Sequence, residues 1–416
     1  MLCRTVALLI AASCFYATVG DAAAKRLTTA QLLPAPAFAA ADAVPGLAEW
    51  AFTDRTAVTY RNMEEIFPTR RVADGGAPSP LASAGRPLEI SYRFDEATYT
   101  LADFVTRSAT TGLLILKDGK ILFEGYYQGA EPSDMFMSFS LAKSFVSTLV
   151  GFAVADGDIN SITDPIIQYL PELKGSAYET ATIKQVLQMA SGTGFSDDDY
   201  SAKDADIAGY AMVLNHNRGG LYDYARSYKS VRKPGQVFQY ASADTEVLGA
   251  LVARVTHRSL SGYLSEKLWR PLGAEAPARW ILDQPGSAGR ELAAGGLQAR
   301  LRDYGRFGLL YANLGAWQGS QLLPVGWVEA ATRPSDPYVE YGALAPGYPL
   351  GYGLQWWCLP GSNRRFAAEG IHGQFIAVDP VQKLVVVKLS GWAEAWDQRQ
   401  EAEFYAFFEA VADAVR

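Results

Sequence analysis

Two short apolar runs on either side of Asp118-Gly119 constrain this chain most. Leu113-Leu114-Ile115-Leu116 and Ile121-Leu122-Phe123 flank a dipeptide that supplies the positive φ values a tight type I′ turn requires. They predict a β-hairpin. Soon after it, Ser138 to Ala155 carries Leu141, Phe145, Thr148, Leu149 and Phe152 at helical spacing, and the pattern stops at Gly157. A strand hairpin therefore feeds a buried helix.

Strand signals then fade. From Thr182 to about Pro285 the chain is helix-rich, with Ile183 to Met189 and Ala243 to Thr256 the clearest elements. Strands return at Phe375 to Val378 and Leu384 to Leu389, around Asp379-Pro380, and Ala402 to Val415 makes a final amphipathic helix. Strands at both ends enclosing a helical middle predict an α+β fold: an antiparallel sheet flanked by helices, split in sequence, with an all-α domain inserted. The expected boundaries are 88–175 plus 286–416 for the sheet domain and 176–285 for the insertion. Upstream, residues 25–87 read as an arm and linker, because Leu32 to Gly46 is dense in Ala and Pro and Asp74 to Pro87 is Gly/Pro/Ser-rich. Between them, Tyr60 to Pro68 looks like an ordered segment lying on the main body.

The first residues, 1–24, read as an export signal. Arg4 gives a positive start, Val6 to Val19 is mainly apolar, and Ala22-Ala23-Ala24 offers a small-residue cleavage site. This predicts a periplasmic or secreted protein with no membrane span in the mature chain. Cys3 and Cys14 lie inside that leader, so Cys358 alone would remain and no intramolecular disulfide could form. Lipidation at Cys14 is disfavoured, because Ala11 stands where a large aliphatic residue is expected. At 416 residues, 49% hydrophobic and 19% charged, the chain can bury a full core without such staples. A net charge of −7 offers no basic field for a phosphate backbone, so nucleic acid is a poor partner.

Several chemistries lack their motifs. There is no Gly-x-Ser-x-Gly elbow, no Gly-rich phosphate loop ending in Lys-Ser/Thr and no His-Glu-x-x-His, and the only histidines, His216, His257 and His372, are scattered. No metal and no cofactor is expected. What is present is Ser140-Leu141-Ala142-Lys143, where the hairpin gives way to the buried helix. Residues three apart share a helical face, so the Lys143 amine can meet the Ser140 hydroxyl. A serine becomes a nucleophile when a neighbouring base takes its proton, and a lysine serves if burial keeps it uncharged. The helix N-terminus adds N–H donors for a developing oxyanion. Alone, Ser-x-x-Lys is weak, since a chain this long should contain about one by chance.

Two further segments raise its value. Pro234 to Phe238 makes a turn and a short apolar run, and Tyr240-Ala241-Ser242 follows just ahead of a helix. A phenol beside an amine can relay protons, and Ser242 can orient both; a core aromatic is the ordinary alternative for Tyr240. Gly370-Ile371-His372-Gly373-Gln374 then enters the late strand, with glycines that let a substrate approach the backbone, or that simply form a bulge.

Together and in this order, these three segments resemble the serine β-lactamase-like family of class C β-lactamases, DD-peptidases, family VIII esterases and 6-aminohexanoate-dimer hydrolases. Ile183 to Gly192, Ala294-Gly295-Gly296-Leu297 and Gly351 to Trp357 look like the family too. The resemblance implies a β-lactamase/transpeptidase-like fold, with Ser140 as nucleophile, Lys143 as base, Tyr240 as proton relay and Ser242 as orienter. It also implies an oxyanion hole from the N–H groups of Ser140 and Ile371. Tyr200 falls where the family places a substrate-covering loop, and His372 is expected either to line the pocket or to be structural. Two departures locate the branch: Tyr240-Ala241-Ser242 replaces Tyr-x-Asn, and Ile371-His372-Gly373 replaces Lys-Thr-Gly. The missing strand lysine argues against efficient penicillin hydrolysis, and the chain looks most like the 6-aminohexanoate-dimer hydrolases. The expected activity is cleavage of small-molecule amides or esters. The competing expectation is a penicillin- or cell-wall-peptide-binding sensor without turnover.

Overall fold

The computed structural model describes residues 56–85, 88–197, 206, 209–210 and 220–416. The leader, most of the arm and Tyr200 therefore lie outside the described residues.

A seven-stranded antiparallel sheet forms the centre. Its strands in chain order are β1 (Thr110–Lys117), β2 (Lys120–Tyr126), β3 (Gly351–Tyr352), β4 (Trp357–Cys358), β5 (Phe366–Gly370), β6 (Gln374–Asp379) and β7 (Leu384–Ser390), and their spatial order is β3-β4-β5-β6-β7-β1-β2. The hairpin leads as its sequence demands, with Asp118 at φ 51° and Gly119 at φ 76° closing the turn. Pairing of β7 with β1 joins the two ends of the chain, Val386 lying opposite Ile115.

Four helices cover the sheet and its flank: α1 (Leu141–Asp156), α2 (Ser242–Thr256), α3 (Leu301–Ala312) and α4 (Gln398–Ala414). Successive strand side chains point to opposite faces. Leu114, Leu116, Ile376 and Val385 accordingly join the core with α1 and α3, while Leu113, Ile115, Phe375 and Val386 join the one under α4. Both faces are covered, which is why these strands read as unbroken apolar runs rather than alternating ones. The short helix Leu101–Arg107, closed by a Thr100/Asp103 capping box, adds Phe104, whose ring stacks on Phe407 at 3.9 Å. That box went unread in the sequence. Helix α4 likewise starts earlier than its apolar pattern, because Asp397 caps the N–H groups of Arg399 and Gln400.

The structure departs from the sequence reading in a second, four-stranded sheet. Thr69–Val72, Ala278–Ile281, Leu297–Ala299 and Phe136–Met137 pair side by side. Ala278–Ile281 falls inside 176–285, so that span is not purely helical. Such pieces are too short for periodicity to identify. They matter to the junction: Phe136–Met137 pairs with Leu297–Ala299, and the Ser138 N–H donates to the Leu297 carbonyl at 2.8 Å. The chain entering α1 is thereby clamped. Among the described residues no helix is long and apolar enough to cross a membrane.

Helix α3 lies close on the sheet through its glycines. A Cβ at Gly308 would stand 2.5 Å from Val385 Cγ1, and one at Gly305 would stand 2.6 Å from Leu114 Cδ2. A Gly308→Val protein should lose roughly 2 kcal/mol or more of stability from overpacking. Guanidinium unfolding reads this, and an unchanged midpoint would mean that the sheet yields there at no cost.

Candidate active site

The turn into α1 brings Ser140 to the helix N-cap, at φ −65° and ψ −6°. Phe139 before it is held at φ 44°, a left-handed conformation that is costly for a bulky residue and survives only where surrounding contacts impose it. Those contacts are aromatic. Phe139 packs edge-on against Tyr60 at 4.8 Å, and the His372 ring lies 5.3 Å away.

One turn along, Lys143 is 2% exposed and its Nζ donates to three oxygens: Ser140 Oγ at 2.9 Å, Ser242 Oγ at 3.1 Å and the Ala294 carbonyl at 3.1 Å. Burial lowers this amine from its ordinary value to about 8, and the nearby carboxylates of Asp197 and Glu246 hold it from falling further. The geometry has a chemical consequence. An uncharged amine keeps two N–H donors, which Ser242 and Ala294 occupy, so its lone pair is left for the Ser140 hydroxyl proton.

Ser242 opens α2, and both its N–H and its hydroxyl donate to Asp197 Oδ2, at 2.9 and 2.7 Å. Asp197 thus fixes the hydroxyl that receives Lys143. Tyr240, two residues earlier, has the Lys143 Nζ 4.8 Å from its ring centroid and shares a hydrogen bond with Ser140. Its ring stacks on Trp357 at 5.7 Å. Burial raises the phenol well above its ordinary value, the Ser140 hydrogen bond opposes that, and Asp197 and Glu369 reinforce it.

Across from Ser140 runs the end of β5. Gly370 is pressed so closely on the turn that a Cβ there would lie 2.7 Å from the Ser138 carbonyl and 3.1 Å from the Ser140 nitrogen. Ile371 to Gly373 then form the tight connection to β6, held by the Gln374 amide, which donates to the carbonyls of His372 and Ser390 at 2.9 Å each. Ser140, Asp197, Arg232, Tyr240, Trp357 and Ile371 all line one cavity of about 720 Å³.

Ser140, Lys143, Tyr240 and Ser242 meet here, and Ile371 stands at the cavity wall. His372 does not. It is 0% exposed, its Nδ1 lies 2.9 Å from the Trp392 carbonyl, and burial lowers the imidazole to about 4. At φ 60° its backbone turns left-handed and the ring enters the core, where it props Phe139. It supports the turn instead of lining the pocket. Tyr200 lies outside the described residues. Sequence reasoning missed Asp197 as the partner of Ser242, the Ala294 carbonyl and the Trp357 platform. Asp197 was visible only as the start of an acidic run, and nothing local links it to a residue 45 positions on.

Comparison with known proteins agrees with this architecture. The family model described as Beta-lactamase matches residues 100–408. A 6-aminohexanoate-dimer hydrolase from Paenarthrobacter ureafaciens is 29% identical over 364 residues, spanning 85% of this chain and 90% of that one. A solved structure from Bacillus anthracis, assigned provisionally as a 6-aminohexanoate-dimer hydrolase, superposes with TM-score 0.77 at 24% identity, covering 88% of this chain and 96% of that one. A family VIII carboxylesterase superposes at TM-score 0.57 and 17% identity, covering 74% and 95%. At these identities the structural likenesses speak for the fold.

Charge at Asp197 should be readable on Lys143. Replacing Asp197 by Asn removes a negative charge that favours the ammonium, so Lys143 should titrate below about 8 when followed by its ¹³Cε shift. A midpoint that stays put or rises would exclude this coupling.

Proposed function

The chain belongs to the beta-lactamase family, and on that footing we propose that it is a serine hydrolase that cleaves amide or ester bonds through an acyl-enzyme on Ser140. The observation that carries the proposal is the buried Lys143 amine, 2.9 Å from the Ser140 hydroxyl. In the first step uncharged Lys143 takes the Ser140 proton while Oγ bonds the substrate carbonyl carbon. The N–H groups of Ser140 and Ile371 would receive the oxyanion. As the tetrahedral intermediate collapses, the C–N or C–O bond breaks and the leaving group takes a proton from Lys143, directly or through Tyr240. Water, deprotonated by the same pair, then attacks the acyl carbon and frees the acid and Ser140. Asp197 and Ser242 keep the amine aimed throughout.

The 6-aminohexanoate-dimer hydrolase relative supports linear amides and esters as the substrate class. Penicillins fit less well, because the turn after β5 reads Ile371-His372-Gly373 and presents no lysine. The nearest buried amine, Lys388, is committed to the Gly373 carbonyl at 3.1 Å and Ser390 Oγ at 2.9 Å.

Turnover of a p-nitrophenyl ester should fall about 10³-fold or more in Ser140→Ala, with the acyl adduct found on Ser140 of the wild type by mass spectrometry. Equal rates in the two proteins would end this reading. A long-lived adduct without turnover would instead favour the binding-sensor alternative. The profile of kcat/KM should rise about tenfold per pH unit up to about 8 and then level, since the base is the deprotonated amine. Lys143→Arg should abolish that limb with the activity, because a guanidinium stays charged; a pH profile unchanged by this substitution would exclude Lys143 as the base.

A further inference from the structure

Lys143 has two acceptors besides Ser140, and a carboxyl group stands behind each. Asp197 receives the Ser242 hydroxyl at 2.7 Å. The other acceptor, the Ala294 carbonyl, belongs to a residue whose N–H donates to Glu246 Oε1 at 2.9 Å. Glu246 follows Ser242 by one turn of α2, so one helical face carries both a direct partner of the amine and the residue that holds the second partner in place. It is buried, and the Tyr210 hydroxyl donates to the same Oε1. The peptide plane that carries the Ala294 carbonyl is tied loosely on its own account, its Gly295 N–H reaching the Leu292 carbonyl at 3.3 Å. Helix α2 presses on the same segment, since a Cβ at Gly249 would stand 2.7 Å from the Ala293 Cβ.

Glu246 also forms part of the wall of a second cavity, of about 310 Å³, with Gly249, Ala250 and Ala293; none of its lining residues lines the cavity of Ser140. The cations on that wall are engaged: Arg70 with Glu291 at 2.9 Å, Arg254 with Glu172 at 2.7 Å, and Arg290 over the Tyr222 ring at 5.1 Å. Among the described residues no lysine or arginine forms an ion pair with Glu246. Burial raises the acid to about 7, against the hydrogen bonds from Tyr210 and from the Ala293 and Ala294 N–H groups, and Asp283 adds to the rise. Tyr178, also buried, senses the Glu246 charge. The carboxylate is therefore present over the range in which Lys143 titrates, where it favours the ammonium.

Resting on the Ser140 reading for the reaction itself, we propose that Glu246 is a positioning residue for the base: by holding the Ala294 N–H it aims the Ala294 carbonyl at Lys143, as Asp197 aims Ser242. With both acceptors fixed, the two hydrogens of the neutral amine are committed and its lone pair is left facing Ser140. Loss of this support frees the amine to turn a hydrogen toward the serine, and it then no longer acts as a base. Glu246 acts from outside the cavity of Ser140. Its own cavity lets it exchange protons with solvent while substrate fills the other one.

Two variants separate position from charge. Glu246→Gln keeps an oxygen for the Ala294 N–H and removes the charge, so the Lys143 ¹³Cε midpoint should fall by about half a pH unit or more below the wild type's value of about 8. Its kcat for a p-nitrophenyl ester at about pH 9 should stay within about threefold of wild type. Glu246→Ala removes the acceptor as well, and its kcat should fall about 30-fold or more across the pH range, with KM changed less than about threefold. An unmoved Lys143 midpoint in Glu246→Gln, or wild-type kcat in Glu246→Ala, overturns the assignment. Should Glu246→Ala fail to fold, the isosteric Gln variant still decides through the midpoint, which a purely structural role would not move. The titration needs no turnover, so its failure is distinct from failure of the Ser140 chemistry, which the Ser140→Ala ester assay reads.

Discussion

An amine buried against three oxygens, with no carboxylate of the described residues in salt-bridge contact with it, is the constraint on which the rest of this structure turns. In water an ammonium loses little by sharing its hydrogens; inside a protein, desolvation disfavours the charge, and the pressure to shed a proton rises with burial. Lys143 sits at a balance point. Burial alone would take it lower than about 8, and Asp197 and Glu246 hold it there, close enough to neutrality for the base and acid roles that the proposed chemistry asks of it. Placing those carboxylates in direct contact would have held the charge on the amine. Instead Asp197 acts at one remove, through the Ser242 hydroxyl.

Holding that amine demands rigidity on every side, which explains why the site lies where several elements converge. The four-stranded sheet clamps the chain before Ser138, α1 carries Ser140 and Lys143 on one face, and α2 brings in Ser242. The end of β5 closes the opposite wall, where only glycine fits at 370. Strain at Phe139 belongs to the same arrangement. His372 and Tyr60 pack the ring from the core side, so the left-handed backbone before Ser140 is imposed by the packing around it.

The two faces of β5 divide the labour. Gly370 looks toward the reacting hydroxyl, while Glu369, one residue away and therefore on the other face, meets α4 and its tyrosines.

How much of this was legible in the chain depends on whether the signal was local. The Asp118-Gly119 hairpin, α1 with its Gly157 stop, the late strand pair and the order of Ser140, Lys143, Tyr240 and Ser242 were all readable, because turn chemistry, helical spacing and motif order are properties of contiguous residues. So was the α+β character. The second sheet was not, since strands of two to four residues carry no period, and the cap at Asp397 lay outside the apolar pattern it starts. Only tertiary structure could decide that Asp197 faces Ser242, that Ala294 offers its carbonyl to Lys143 and that His372 turns inward. Those facts depend on which distant groups share a desolvated volume, and the energy of a buried charge or hydrogen bond is set by that volume rather than by sequence neighbours.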